Sequence, residues 1–131
     1  VCLFVFFFIP GKNTYTTYII IEINYPENGA KAFIHRKNWG VSADHEIVFI
    51  GGTKNEKFTP DESSDYIYSG LDELYYKQQK DTLFIYCARE SAVPVNYSSA
   101  IKIVQIELGN SEMIDLYHDE NYLKKGLHVI Q

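Results

Sequence analysis

The chain predicts an all-β fold: a single antiparallel β-sandwich, meander or partly open barrel of about 7–9 strands, with at most a short C-terminal helix. Three observations lead there. The stretch Leu71–Cys87, LDELYYKQQKDTLFIYC, sets two alternating runs of Tyr, Leu, Phe and Ile on either side of the polar residues Gln78–Asp81, which is the pattern of a β-hairpin. An Asn28-Gly29 pair stands between two further runs rich in Thr, Tyr and Ile, and both residues tolerate the positive φ of tight turns. No apolar period of 3.6 residues persists long enough to predict a long helix.

The first nine residues, VCLFVFFFI, are apolar throughout and end at Pro10-Gly11-Lys12. The run is shorter than the about 20 apolar residues that span a bilayer, but it has the composition of the end of an anchor or signal segment, and the chain opens on Val rather than Met. Residues 1–12 are therefore expected to be a truncated membrane anchor or signal segment, with a fully buried first strand as the alternative. Residues 13–131 are expected to form one β-domain, of a length that can bury a core without disulfide or metal staples.

From Thr14, TYTTYIIIEINY favours a strand, Pro26–Gly29 a turn, and Ala30–Arg36 a returning strand. Pairing across that turn keeps Ile21, Ile23 and Tyr25 on one face with Ala32 and Ile34. Lys37–Gly52 opens as a loop carrying Asn38-Trp39-Gly40, continues as a strand over Glu46–Ile50 and stops at Gly51-Gly52. Thr53–Ser64 is polar, contains Pro60 and is the longest loop, a place where function concentrates. Tyr66–Tyr68 reads as a short strand.

In the central hairpin a four-residue loop sets Lys77 against Thr82 and Tyr76 against Leu83. One face then carries Leu74, Tyr76, Leu83, Ile85 and Cys87, the expected core. The other carries Tyr75, Lys77, Phe84 and Tyr86, half-covered or partly exposed. After an Arg89–Ser99 loop, a last hairpin is expected to pair Ile101–Leu108 with Glu112–His118. A three-residue turn sets Ile106 against Ile114, where a two-residue turn would oppose Glu107 to Glu112. Asp119–Lys125 offers one or two helical turns stopped by Gly126, before a final strand Leu127–Ile130.

Seventeen acidic and 12 basic residues give a net charge of -5, and no basic cluster is large enough to track a phosphate backbone, so no nucleic-acid partner is expected. Cys2 and Cys87 lack the spacing of a zinc or redox motif. His45 lies between Asp44 and Glu46, and His118 precedes Asp119 and Glu120, but neighbours on an extended chain point to opposite faces. Asp61, Ser63 and Asp65 are spaced like the first ligands of a calcium loop, yet Tyr66 stands where that loop needs Gly. Neither a nucleophile elbow nor a phosphate loop occurs. No catalytic residue, metal ligand or cofactor is assigned, and the chain leans away from being an enzyme.

Aromatic residues remain. Trp39, Tyr75, Phe84 and Tyr86 are the expected binding residues, suited to stacking on a sugar or covering an apolar patch of a protein partner. The leading expectation is a non-enzymatic extracytoplasmic domain of the cell envelope, binding or structural, tethered to or exported across a membrane through its N-terminal segment. Its ligand would be a protein or a carbohydrate. Two alternatives are a small acidic inhibitor or immunity-type protein that binds a basic protein partner, and a hydrolase with a dispersed site.

Overall fold

The computed structural model describes residues 16–40, 45–70 and 73–130; the apolar run 1–9 and the expectations placed on it lie outside them. Within these residues the chain is predominantly β, and its strands form two four-stranded sheets. Strands β1 (Thr17–Tyr25), β2 (Ala30–Trp39), β3 (His45–Gly51) and β4 (Tyr66–Ser69) follow one another as an antiparallel meander. The turn chemistry sets the register. Gly29 takes φ 70, and the Asn28 side chain accepts the Ala30 N–H at 3.0 Å. Ile23 thereby pairs with Ala32 and Ile21 with Ile34, as the alternation predicts.

The second sheet runs in the order β7 (Lys102–Glu107), β6 (Thr82–Cys87), β5 (Tyr75–Gln79), β8 (His128–Val129). Its central hairpin is closed by two residues, Lys80 and Asp81, rather than four: Gln79 opposes Thr82, and Tyr76 opposes Ile85. Lys80 adopts φ 54 to make the turn. The shift from the expected register is two residues, one full pleat, so every side chain keeps its predicted face.

Two expectations about the C-terminal third are corrected. Strand β7 pairs with β6 in parallel, Phe84 opposite Val104 and Tyr86 opposite Ile106, so the domain is not purely antiparallel. The connection 88–101 has the dozen or more residues that a parallel return needs. A strand does not follow β7. Asn110–Tyr117 forms helix α1, whose first turn is closed by Glu112 accepting the Gly109 N–H at 2.9 Å. Met113 and Leu116, three apart, turn toward the sheet, while Ile114 and Tyr117 stay exposed. A 3₁₀ turn (His118–Glu120) and the short helix α2 (Asn121–Lys124) lead to β8.

The sheets pack face to face on one core, Ile23, Ile34 and Ile50 from the first against Leu83 and Ile85 from the second, with Ile101 just before β7 completing it. Gln105 fastens their edges: its Oε1 accepts from the Tyr68 hydroxyl and the Ser91 N–H, both at 2.7 Å, and its Nε2 donates to the Ser91 carbonyl at 3.0 Å. Ser91 Oγ in turn accepts the Ile67 N–H at 2.9 Å, satisfying a donor on the edge of β4. At one end of the interior, Arg36 donates to Glu46 at 2.8 Å, and Asn38 shares the same oxygen at 3.2 Å.

Candidate functional site

Both outer faces of the sandwich are aromatic, and they are finished differently. On the first sheet, the ring of His35 stacks flat on Phe49, 4.3 Å between centroids and 6° between planes, and meets Phe58 edge-on at 5.8 Å. Phe58 comes from the long loop predicted between β3 and β4, which folds back over the sheet, and it also packs 4.7 Å from Tyr18. His35 Nε2 accepts the Asn55 N–H of that loop at 2.9 Å, so the proton sits on Nδ1, facing the Phe49 carbonyl at 3.2 Å. Burial lowers the His35 pKa below its ordinary value, and the Phe49 carbonyl and Asp65 oppose this only in part. The loop is a lid pinned by a neutral imidazole. Every polar group of that pin is satisfied.

Trp39 lies on this same outer side, but at the end of β2 rather than in the expected loop. It stacks on His45 at 5.5 Å, with Lys37 Nζ 5.1 Å from its ring. The other three expected binding residues, Tyr75, Phe84 and Tyr86, share the outer face of the second sheet, so the four do not form one surface. Tyr75 is fully buried under the C-terminal segment, against Leu116 and Leu127, and serves as floor rather than as an exposed stacking ring. Phe84 and Tyr86 are half-buried, with Lys77 Nζ 5.6 Å from the Phe84 ring.

Helix α1 stands off the second sheet and leaves a groove of about 590 Å³. Tyr86, Leu108, Leu116 and Leu127 supply its apolar surface, with Lys77 and Lys125 set against Glu112 and Asp115 at its rim. Beyond the groove the face continues over Phe84 to Val104, which is 39% exposed on the edge strand. This is the candidate site. Comparison with family models, curated proteins and solved structures finds no match for the chain. The site must therefore be read from its own chemistry.

Among the described residues, no three His, Cys, Asp or Glu side chains converge as a metal would require. His45 and His118 belong to different outer faces, His45 paired with Trp39 at the end of the first sheet and His118 in the turn that follows α1. Cys87 points into the core, donates weakly to the Ile106 carbonyl at 3.7 Å, and has its thiol pKa pushed up to about 11 by burial, which makes it a packing residue rather than a nucleophile. Sequence reasoning placed Tyr86 and Phe84 correctly on one face. The sequence expectation leaves out Leu108, Leu116 and Lys125: Leu116 reaches the groove from a helix where a strand is expected, and Leu108 and Lys125 lie in the segments that flank it.

Proposed function

We propose that this chain is a non-enzymatic binding domain whose recognition surface is the outer face of the second sheet, in and beside the groove under α1. One observation supports this above the rest: an aromatic and apolar strip, Tyr86, Phe84 and Val104, left partly open beside a concavity of the size that takes small ligands or a partner's side chains. The ligand classes it suits are a carbohydrate, stacked on the rings, or an apolar segment of a protein. The extracytoplasmic placement, with a tether in residues 1–12, rests on the composition of that segment alone.

The test is a ¹⁵N–¹H NMR titration of the full chain with a series of disaccharides and with a capped Leu-rich peptide. Saturable shifts at Lys77, Tyr86, Leu108 and residues 111–116 are expected, and Tyr86→Ala should weaken the binding by about 1–3 kcal/mol. Trp39→Ala should leave it unchanged, since Trp39 lies on the other sheet. Shifts confined to Trp39 and His45, or no saturation with any of these probes, would reject the reading.

A second reading has its own support. Glu112, Asp115, Asp119 and Glu120 are all exposed on α1 and the turn after it, a concentration of acid suited to steering a basic protein partner. An association rate falling steeply with salt, and slowed by neutralising these four, would favour it.

A further inference from the structure

A separate recess, of about 320 Å³, lies where the turn after α1 meets the second sheet. It is lined by Glu73, Tyr117, Asp119, Glu120, Tyr122 and Val129, and shares no lining residue with the groove. Its lining is acidic and phenolic, without a Lys or Arg. Asp119 pairs with His118 at 3.2 Å. Glu73 has its pKa raised, chiefly by burial and then by the charge of Glu46. The cation that opposes this, Arg36, is already held by Glu46 at 2.8 Å.

The decisive feature is the residue beneath. Tyr75 is 0% exposed, and its hydroxyl finds no hydrogen-bond partner among the described residues. Its pKa is pushed up by burial and then by three neighbours, Glu73, Tyr122 and Tyr117, all of which line the recess. Tyr122, itself in the lining of the recess, packs its ring 5.1 Å from that of Tyr75. The turn above is held in a strained form: Asp119 and Glu120, neither a glycine, take φ 53 and φ 54 in succession. A buried hydroxyl without a partner is costly, and strain of this kind persists where the surroundings impose it.

We infer that this recess binds a primary alkylammonium group, with Glu73 as its counter-ion, the Tyr75 hydroxyl accepting one ammonium N–H, and the rings of Tyr117 and Tyr122 flanking its methylene stem. The carboxylates select a cation, and the phenol faces favour one on a hydrocarbon stem. The orphan hydroxyl selects N–H donors, which a quaternary ammonium lacks. Rotation of the half-buried Tyr122 ring opens the way to Tyr75. The inference stands independently of the groove.

The experiment titrates the full ¹⁵N-labelled chain, at constant ionic strength, with n-butylammonium chloride, tetramethylammonium chloride and 1-butanol. Butylammonium should give saturable shifts at residues 73–75, 117–122 and 129, and bind about tenfold tighter than either control. Glu73→Gln should weaken it about tenfold and Tyr75→Phe about fivefold, with Val95→Ala, exposed on the 88–101 connection, as the unaffected control. Tyr75→Phe should melt no lower than the parent chain. Equal binding of tetramethylammonium, undiminished binding by Tyr75→Phe, or a lowered melting temperature in that variant would overturn the assignment. Two further probes, the capped peptide acetyl-Gly-Lys-Gly-amide and putrescine, identify the source. Tighter binding of the peptide assigns a lysine of a protein partner, tighter binding of putrescine a free amine, and failure of both overturns the proposal.

Discussion

The outer face of the first sheet and the outer face of the second both carry Tyr and Phe rings on alternating strand positions, and they end in opposite conditions. Over the first, the lid loop sets Phe58 onto His35 and Phe49, and both imidazole nitrogens are engaged. Over the second, α1 covers Tyr75 but leaves a groove, an open strip and an unsatisfied hydroxyl. An aromatic residue on a strand thus carries no functional meaning by itself. What matters is whether the segment that covers it completes the packing and the hydrogen bonds.

The comparison breaks most visibly if the closed face is hollowed. Phe49→Ala, at a fully buried ring, should cost about 3–5 kcal/mol in urea unfolding, whereas Phe84→Ala on the open face should cost about 1 kcal/mol. Equal losses would mean that the two faces are covered alike. His35→Ala should cost about 1–3 kcal/mol, because it leaves the Asn55 N–H without its acceptor.

The same residue makes the closed face sensitive to pH. Because the folded pKa of His35 is depressed, the unfolded chain binds the proton first as pH falls, so stability is full above about 6.5 and declines below it until the folded pKa is passed. Asp65 and Glu73, both raised by burial, work in the opposite sense at lower pH, where the folded chain takes up their protons first. Unfolding of the parent chain and of His35→Gln between pH 8 and pH 5.5 isolates the imidazole: both should hold steady above about pH 6.5, and only the parent should show the decline that begins there. A parallel decline in both would remove the pin.

Smaller effects sharpen the contrast. Lys80→Gly should raise stability by about 1 kcal/mol, since Lys80 holds a left-handed φ of 54 in the two-residue turn. Tyr75→Phe should change it least, by about 0.5 kcal/mol or less and in the stabilising direction, because it deletes a polar atom that makes no hydrogen bond among the described residues. A thermal melt reads both.

Much of this architecture was legible in the residues. Asn28-Gly29 set the β1–β2 register, and alternation sorted Leu83, Ile85 and Cys87 from Phe84 and Tyr86. The turn at Lys80-Asp81 was hidden because Lys does not announce a positive φ and the preceding glutamines look like loop. Helix α1 was hidden because Ile114, Leu116 and His118 alternate, while Met113 and Leu116 are three apart; over eight residues either period fits. The parallel partner of β7 left no local mark. The functional elements were least legible of all. The His35 pin joins groups 14 and 20 residues apart, and the orphan hydroxyl of Tyr75 follows from what the C-terminal segment fails to provide.

The parallel seating of β7 beside β6 has a consequence for how the chain comes into being. The first sheet is a meander of neighbours and can assemble as soon as β4 has been synthesised, but its greasy inner side, Ile23, Ala32, Ile34 and Ile50, awaits cover from strands that emerge later. The β5–β6 hairpin supplies part of that cover. The Gln105 clasp and Ile101 arrive only after the whole 88–101 crossover has left the ribosome, and contacts that close over so long a separation form slowly. A nascent chain paused before that point would present a half-built sandwich with a sticky inner wall, the kind of species that holdase chaperones capture and that self-associates when they do not.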